Sequence, residues 1–541
     1  MTYVVTQACC ADASCMSVCP VNCIHPAPGE PDFGHTEMVY VDPNSCIDCG
    51  ACADACPVSA IKPLELLTGD EQVFGDINAA FYDDRSVELT WSAPTFPVVE
   101  APRDRPLRVA VVGTGPAASY AARELLTTSS AHVSMIDRLP VAGGLVRAGV
   151  APDHPDTKRL AEMFTWTYDH PRTRMFLNVD VGTDVTHDDL LTHHDAVVYA
   201  VGARLDRPLG VPGEQLPGVH GSPEVVGWYN SHTDVPASAV DVATDRVVIV
   251  GNGNVALDVA RILLGDVTAL ERTDIADHAL AALRSAPVRE VVVVGRRGPG
   301  QAAFTRPELL MMPRGIDVVI EADGQVADEL AAAAPGSKAA MLRDLPLVDV
   351  DWTRPPQADG RRLVLAFHRT VDEITGTDRV EGVRLGRVGT DRATVVPTGL
   401  VVRSTGHRGS PVADLPFDPA TATIPHDAGR VVDPATGEPL PGAYVVGWIK
   451  RGAVGGIGAN RTDAQETVAT LLGDAREGRL PAPAKTGTRT FARLLRSRGV
   501  DVVDRRRMRR IDAGERRRGA STGRPRVKFA TVEEMLGGRP R

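Results

Sequence analysis

All nine cysteines of this 541-residue chain lie between Cys9 and Cys56, and the 485 positions that follow carry none. Four of them form the run Cys46-x2-Cys49-x2-Cys52-x3-Cys56-Pro57. Thiolates at this spacing can wrap three corners of a cubane iron–sulfur cluster, while the next turn carries the fourth thiol to a neighbouring cluster. Zinc sites come instead as two separated pairs. A disulfide knot fits poorly, because the start, MTYVVTQACC, has no basic segment leading into an apolar run. The chain is therefore expected in the cytoplasm, where disulfides do not persist. No stretch of eighteen or more apolar residues suggests a membrane span.

A partner run must lie upstream. Cys15-x3-Cys19-Pro20 supplies its end and Cys9 its start, but Asp12 stands where the same spacing asks for a middle cysteine. Cys19, Cys46, Cys49 and Cys52 then make a complete four-thiolate set for a [4Fe–4S] cluster. Cys9, Cys15 and Cys56 make a three-thiolate set, with Asp12 as a weak oxygen ligand at best. Such a set favours [3Fe–4S], or [4Fe–4S] with one labile iron. Cys10 and Cys23 are left over and read as small buried apolar side chains.

Two glycine turns mark the remainder. Val109-Ala-Val-Val-Gly113-Thr-Gly115-Pro-Ala-Ala118 is strand, turn and helix start, with room for a pyrophosphate at the helix N-terminus. A second strand, Val133–Ile136, ends in Asp137, an acid placed to bond a ribose hydroxyl. The other turn is Val247-Val-Ile-Val-Gly251-Asn-Gly253-Asn-Val-Ala256, and its next clear strand, Val291–Val294, runs into Gly295-Arg296-Arg297. An acid there would repel a 2′-phosphate, whereas two guanidiniums can pair with it. FAD at the first turn and NADP(H) at the second are expected. With no cysteine after Cys56, a redox disulfide beside the flavin is excluded.

The expected class is α/β, a two-Rossmann flavoprotein, preceded by a small α+β module at residues 1–66. A Pro-rich linker is expected at 67–106, then the first segment of the FAD domain at 107–206 and an inserted NADP domain at 207–405. The chain then returns to the FAD domain at 406–541, where it ends in an Arg-rich segment. Residues 1–66 carry eight acids against Lys62, a net of −7, while 485–541 carry 18 Lys/Arg against six acids, a net of +12. Runs such as Arg505-Arg-Arg-Met-Arg-Arg510 lack aromatic interleaving, so a solvated face that complements an acidic partner is the better reading than nucleic acid.

Residues 2–66 resemble the seven-iron bacterial ferredoxins in their Thr-Tyr-Val-Val opening and cysteine order. Residues 107 to about 536 resemble the NADPH:adrenodoxin reductase family, through VVGTGPAASYAA (111–122), GGLVRAGVAPDHP (143–155), VVIVGNGNVALDVAR (247–261), VVGRRGPGQAAFTRPEL (293–309) and VVGWIKRGAVGGIGANRTDA (445–464). The combination resembles the bacterial ferredoxin/ferredoxin–NADP reductase fusions. The resemblance implies an NADPH:ferredoxin oxidoreductase, passing hydride to FAD and single electrons to a ferredoxin-type or other acceptor. It implies FAD contacts at Gly113, Gly115, Ala117, Asp137, Leu145, Val181, Trp448, Gly455, Gly456 and Ile457. For NADP it implies Asn252, Gly253, Asn254, Val255, Arg296, Arg297, Glu308 and Gly455. His154 and Trp448 are implied to lie near the flavin, with a proton-relay or hydrogen-bonding role for His154. Departures occur where Arg451-Gly-Ala-Val-Gly-Gly-Ile-Gly458 replaces the family's Arg-Gly-Pro-Thr-Gly-Val-Ile-Gly. The acidic N-terminal module is expected to dock on a basic face of its own reductase, since tethering raises effective concentration to about millimolar. An NADPH-dehydrogenase subunit of the glutamate synthase type and a DNA-binding redox sensor are the alternatives.

Overall fold

Runs of Val, Ile and Ala without charges read as strands covered on both faces, which is how parallel sheets are buried. In the computed structural model, which describes residues 2–83, 85, 105–286, 288–334, 337–357, 360–485 and 488–538, two such sheets form. In the first, Arg108–Val112, His132–Asp137, Thr173–Leu177 and Ala196–Tyr199 run parallel. Pro439–Val445 returns from far along the chain to extend it in parallel beside Ala196–Tyr199. The second sheet holds seven parallel strands between Val219 and Arg403, with Arg246–Val250 and Glu290–Val294 near its centre. The chain enters this layer through Leu205–Asp206 and leaves it through His407–Arg408, and these two segments pair antiparallel. The second unit is thus inserted into the first.

Each glycine turn opens a helix over its sheet. Helix Pro116–Thr128 begins with Pro at its first turn, where a missing N–H costs nothing. Ala118, Ala121 and Ala122 are fully buried, and their small side chains let this helix pack closely on the sheet and on helix Ala459–Arg476.

The N-terminal module pairs Tyr3–Val5 with Ile61–Pro63 and Ile24–His25 with Tyr40–Val41, both antiparallel. It does not end at residue 66. Helix Val73–Ala80 falls in the expected linker, yet its Phe74 and Ile77 are buried in the module's core. Asn78 Oδ1 accepts from the Val5 and Val41 amides at 3.1 and 2.9 Å, tying both hairpins to the helix. Tyr82 Oη donates to the Tyr40 carbonyl at 2.7 Å, so the module runs to about residue 82. Pro94, Pro97 and Pro102 of the expected linker lie outside the described residues.

The Arg-rich end folds as helices Thr488–Ser497, Arg505–Ala520 and Val532–Met535. Eight of its described arginines bond or pair within the chain. Glu515, fully buried, accepts from Arg147 Nη1 at 2.9 Å and Arg526 Nη1 at 3.2 Å. Arg524 Nε donates to the Thr273 carbonyl at 2.9 Å, and Lys528 pairs with Asp274 at 2.9 Å. The tail therefore straps the inserted unit to the first one. No helix among the described residues is long and apolar enough to cross a membrane.

Candidate functional site: two cysteine cavities and two nucleotide cradles

The cysteines gather around two cavities. One is lined by Cys19, Cys46, Cys49, Cys52 and Cys23. The other is lined by Cys9, Cys15, Cys56, Cys10 and Asp12. Two short turns divide their thiols between the cavities. Met16–Val18 separates Cys15 from Cys19, and Ala51–Ala55 carries Cys52 and hands on to Cys56. In the second cavity the Ala11 amide points at Cys9 Sγ (3.4 Å) and the Ala60 amide at Cys56 Sγ (3.2 Å), the N–H···S contacts that suit ligating thiolates. Burial pushes the Cys9 thiol up to about 11 and the Cys52 thiol up to about 12, so their anions need a cation beside them. The donor chemistry thus fits iron at both places. Asp12 lines the second cavity, with both carboxylate oxygens accepting from Ser14. Cys23 is buried in the module core beside the first cavity, its sulfur 3.4 Å from that of Cys19.

The first nucleotide turn is tight. Gly113 has φ +113°, and a Cβ there would stand 2.5 Å from the Ala200 carbonyl oxygen. Gly144 approaches Gly115 so closely that a Cβ on it would come within 2.7 Å of the Gly115 Cα. Asp137, at the end of its strand, accepts from Thr114 Oγ1 at 2.6 Å and from the Leu139 amide at 2.9 Å. Ala117 packs beside Gly447, and Val181 bridges to Val185. Leu145 is 43% exposed, an apolar side chain left for a ligand to cover. Glycines, helix N-terminus, acid and apolar wall together fit FAD.

At the second turn a Cβ on Gly251 would overlap the Ser404 carbonyl oxygen. Helix Asn254–Leu264 starts after Gly253. Asn252 and Asn254 use their side-chain oxygens on the Ala303 and Thr305 amides, at 3.3 and 2.7 Å, so they brace the turn against segment 303–305. Val255 packs its side chain against the second unit's core. Arg296 and Arg297 are exposed, and among the described residues neither forms an ion pair with a carboxylate. This site fits a phosphorylated ribose.

Between the cradles lies a buried charge cluster. His154 Nε2 is 3.1 Å from Asp258 Oδ1 and 3.5 Å from Glu308 Oε1, and Arg261 donates to Asp258, Glu308 and Asp153. Burial disfavours the charged imidazole, but the bonds to Asp258 and Glu308 outweigh it and hold His154 at about 10. A metal is out of place here, since the Arg261 guanidinium already satisfies the carboxylates. Glu308 is thus held in this cluster. Sequence reasoning passed over Arg261, although a lone Arg among the buried Val259, Ile262, Leu263 and Leu264 is a signal that a charge partner waits inside.

Trp448 Nε1 donates to the Gly455 carbonyl at 3.3 Å, and its ring lies 5.3 Å from that of His407. This fixes the loop that carries Gly455, Gly456 and Ile457. The same loop reaches the N-terminal module, where the Gly458 amide donates to the Cys10 carbonyl at 2.9 Å. Arg461 Nη1 donates to the Asp12 carbonyl at 2.9 Å and to Ser14 Oγ at 3.2 Å. On the inserted unit, Arg306 and Lys338 face Glu37 at 2.8 and 3.8 Å. These contacts link residues hundreds of positions apart, which no local pattern announces.

Residues 107–293 match the family described as pyridine nucleotide-disulphide oxidoreductase, and residues 39–62 match the 4Fe-4S binding domain. The chain is 48% identical over 545 residues to the probable ferredoxin/ferredoxin–NADP reductase of Mycobacterium bovis, covering 99% of this chain and 94% of that one. It is 44% identical to the NADPH-ferredoxin reductase FprA of Mycobacterium tuberculosis, covering 80% of this chain and 99% of that one. The solved structure of that organism's FprA in complex with NADPH superposes with a TM-score of 0.70 at 44% identity, over 80% of this chain and 99% of that one. With a relative so similar along its whole length, this chain belongs to the ferredoxin/ferredoxin–NADP reductase family.

Proposed function

We propose that the chain is an NADPH:ferredoxin oxidoreductase whose N-terminal module carries two iron–sulfur clusters and works on its own reductase units. The net reaction is 2 reduced ferredoxin + NADP⁺ + H⁺ = 2 oxidised ferredoxin + NADPH, in either direction. One observation supports the reading: the Gly458 amide, in the loop that carries Gly455–Ile457, donates to the carbonyl of Cys10, which lines the cavity of Cys9, Cys15 and Cys56. FAD, when bound, takes a hydride and hands electrons on singly to carriers such as iron–sulfur clusters.

The chain's own residues position and discriminate. Gly113 and Gly115 clear the backbone for a pyrophosphate, and Asp137 takes the ribose. Arg296 and Arg297 hold the 2′-phosphate, and Glu308 with His154 sets the charge between the cradles. Trp448 fixes the loop over the flavin through Gly455. Hydride transfer needs no side-chain acid or base, so orientation is the main contribution. Cys19, Cys46, Cys49 and Cys52 would hold a [4Fe–4S] cluster, and Cys9, Cys15 and Cys56 would hold a second of the [3Fe–4S] type, with Asp12 as a weak oxygen ligand at best. Nine cysteines without a disulfide suit the cytoplasm. The engagement of the C-terminal arginines within the chain favours a strap over a nucleic-acid surface.

The test is reduction of an added bacterial ferredoxin by the purified chain, with NADPH and with NADH, alongside gel filtration. Turnover with NADPH in a particle without a second subunit supports the reading. Activity only within a larger complex points to the glutamate synthase type instead.

A further inference from the structure

We infer that electrons cross between module and reductase at the cavity of Cys9, Cys15 and Cys56, and reach an outside acceptor from the cavity of Cys19, Cys46, Cys49 and Cys52. The first is then the inner station, the second the outer one. This rests on the function proposed above and adds an order to it.

Three observations give the order. First, the inner cavity lies at the seam. Cys9, Cys10 and Cys56 pack against the same core as Ile457 and the helix Pro116–Thr128 side chains of the FAD unit. A Cβ on Gly458 would collide with the Cys10 and Ala11 backbone, so no side chain intervenes. Arg461 clamps the Asp12 carbonyl and Ser14 from the FAD unit, which holds the 9–15 segment in place. Second, the outer cavity opens away from the seam. Cys49 is exposed and Ile47, beside it on the cavity wall, is 52% exposed. Third, the stations adjoin, because Cys52 belongs to one and Cys56 to the other, and four residues of helix rise only about 6 Å. Electron tunnelling falls exponentially with distance, so the short path runs flavin, inner station, outer station. The two electrons that arrive as one hydride leave singly to two one-electron acceptors, and the proton goes to solvent. The Arg461 guanidinium beside the inner station also favours the added negative charge there.

The experiment uses the full chain loaded with FAD and iron, mixed anaerobically with NADPH and frozen at intervals for EPR. Arg461→Ala should leave flavin bleaching by NADPH and the iron content unchanged. It should raise hydrogen exchange at residues 8–14 and slow cluster reduction about tenfold, the scale of one charge-assisted hydrogen bond. In Cys15→Ser, the outer cluster should respond to dithionite but no longer to NADPH. Reduction of the outer cluster by NADPH at the unaltered rate in Cys15→Ser would overturn the order. If Cys15→Ser empties both stations of iron, Arg461→Ala decides alone, and an unchanged cluster rate together with unchanged exchange overturns the proposal. Absence of flavin bleaching by NADPH in the unaltered chain would sink the proposed function itself, a separate outcome.

Discussion

Replacing both Arg296 and Arg297 with Ala removes the positive charge assigned to the NADPH 2′-phosphate. Both side chains are exposed and no carboxylate pairs with either among the described residues, so their loss costs the fold little. Surface changes of this kind alter stability by about 0.5 kcal/mol or less. Toward a phosphate, a hydrogen bond from a charged donor contributes roughly 1.5–3 kcal/mol. Exposure and salt screening argue for the low end, about 1.5 kcal/mol each, or about 3 kcal/mol for the pair. That corresponds to a KM for NADPH raised roughly 150-fold. NADH, lacking the phosphate, should change by about twofold at most, because this loss is confined to the charge pairing. The assay is steady-state reduction of ferricyanide at about 0.15 M ionic strength with each coenzyme, with thermal unfolding as the control for folding. Equal losses for the two coenzymes would refute the assignment, as would an NADPH effect of less than about threefold.

Other outcomes follow from the geometry. Gly113→Ala forces a Cβ to 2.5 Å from the Ala200 oxygen at φ +113°, so the protein should purify with FAD below one per chain; full occupancy would contradict the close turn. Glu515→Ala leaves the buried Arg147 without its carboxylate, while Arg526 keeps Asp512, which costs roughly 3–5 kcal/mol and lowers Tm by about 5 °C. A fall within about 2 °C would show that the tail is not a strap. His154 is held at about 10 against an ordinary 6.5, so its folded pKa is raised. Its stabilising contribution is fully present below 6.5 and gone above about 10, so the chain should lose more Tm between those values than His154→Gln does. Parallel curves would mean the imidazole does not hold its proton in the cluster.

Much of this was legible because the chemistry imposes local spacing. Thiolates around a cubane need fixed gaps, so a division of seven cysteines between two sites is expected from 9–57, and the two cavities are lined by those seven together with Cys10 and Cys23. The glycine turns were legible for a similar reason, since Gly113 and Gly251 each sit where a Cβ would strike a neighbouring strand's end. Helix Val73–Ala80 was not legible. Its eight residues show little beyond a short apolar face, and what orders it is Asn78 reaching two strands, a tertiary bond absent from any periodicity. Docking of the module was expected from charge, but which residues meet was hidden for the same reason, because Arg461 and Ser14 lie 447 positions apart. Glu308 was assigned to coenzyme through the resemblance, and its buried bonding to Arg261 and to His154 of the first unit was hidden because these residues meet only in the fold.

EPR of the anaerobically purified chain, recorded oxidised and again after excess NADPH with no other reductant, bears most directly on the proposed electron path. The oxidised protein should show a [3Fe–4S]-type signal from the Cys9, Cys15 and Cys56 site, and NADPH alone should abolish it. Two [4Fe–4S] signals with no oxidised-state signal would contradict the three-thiolate site. Clusters that respond to dithionite but not to NADPH would contradict the path itself.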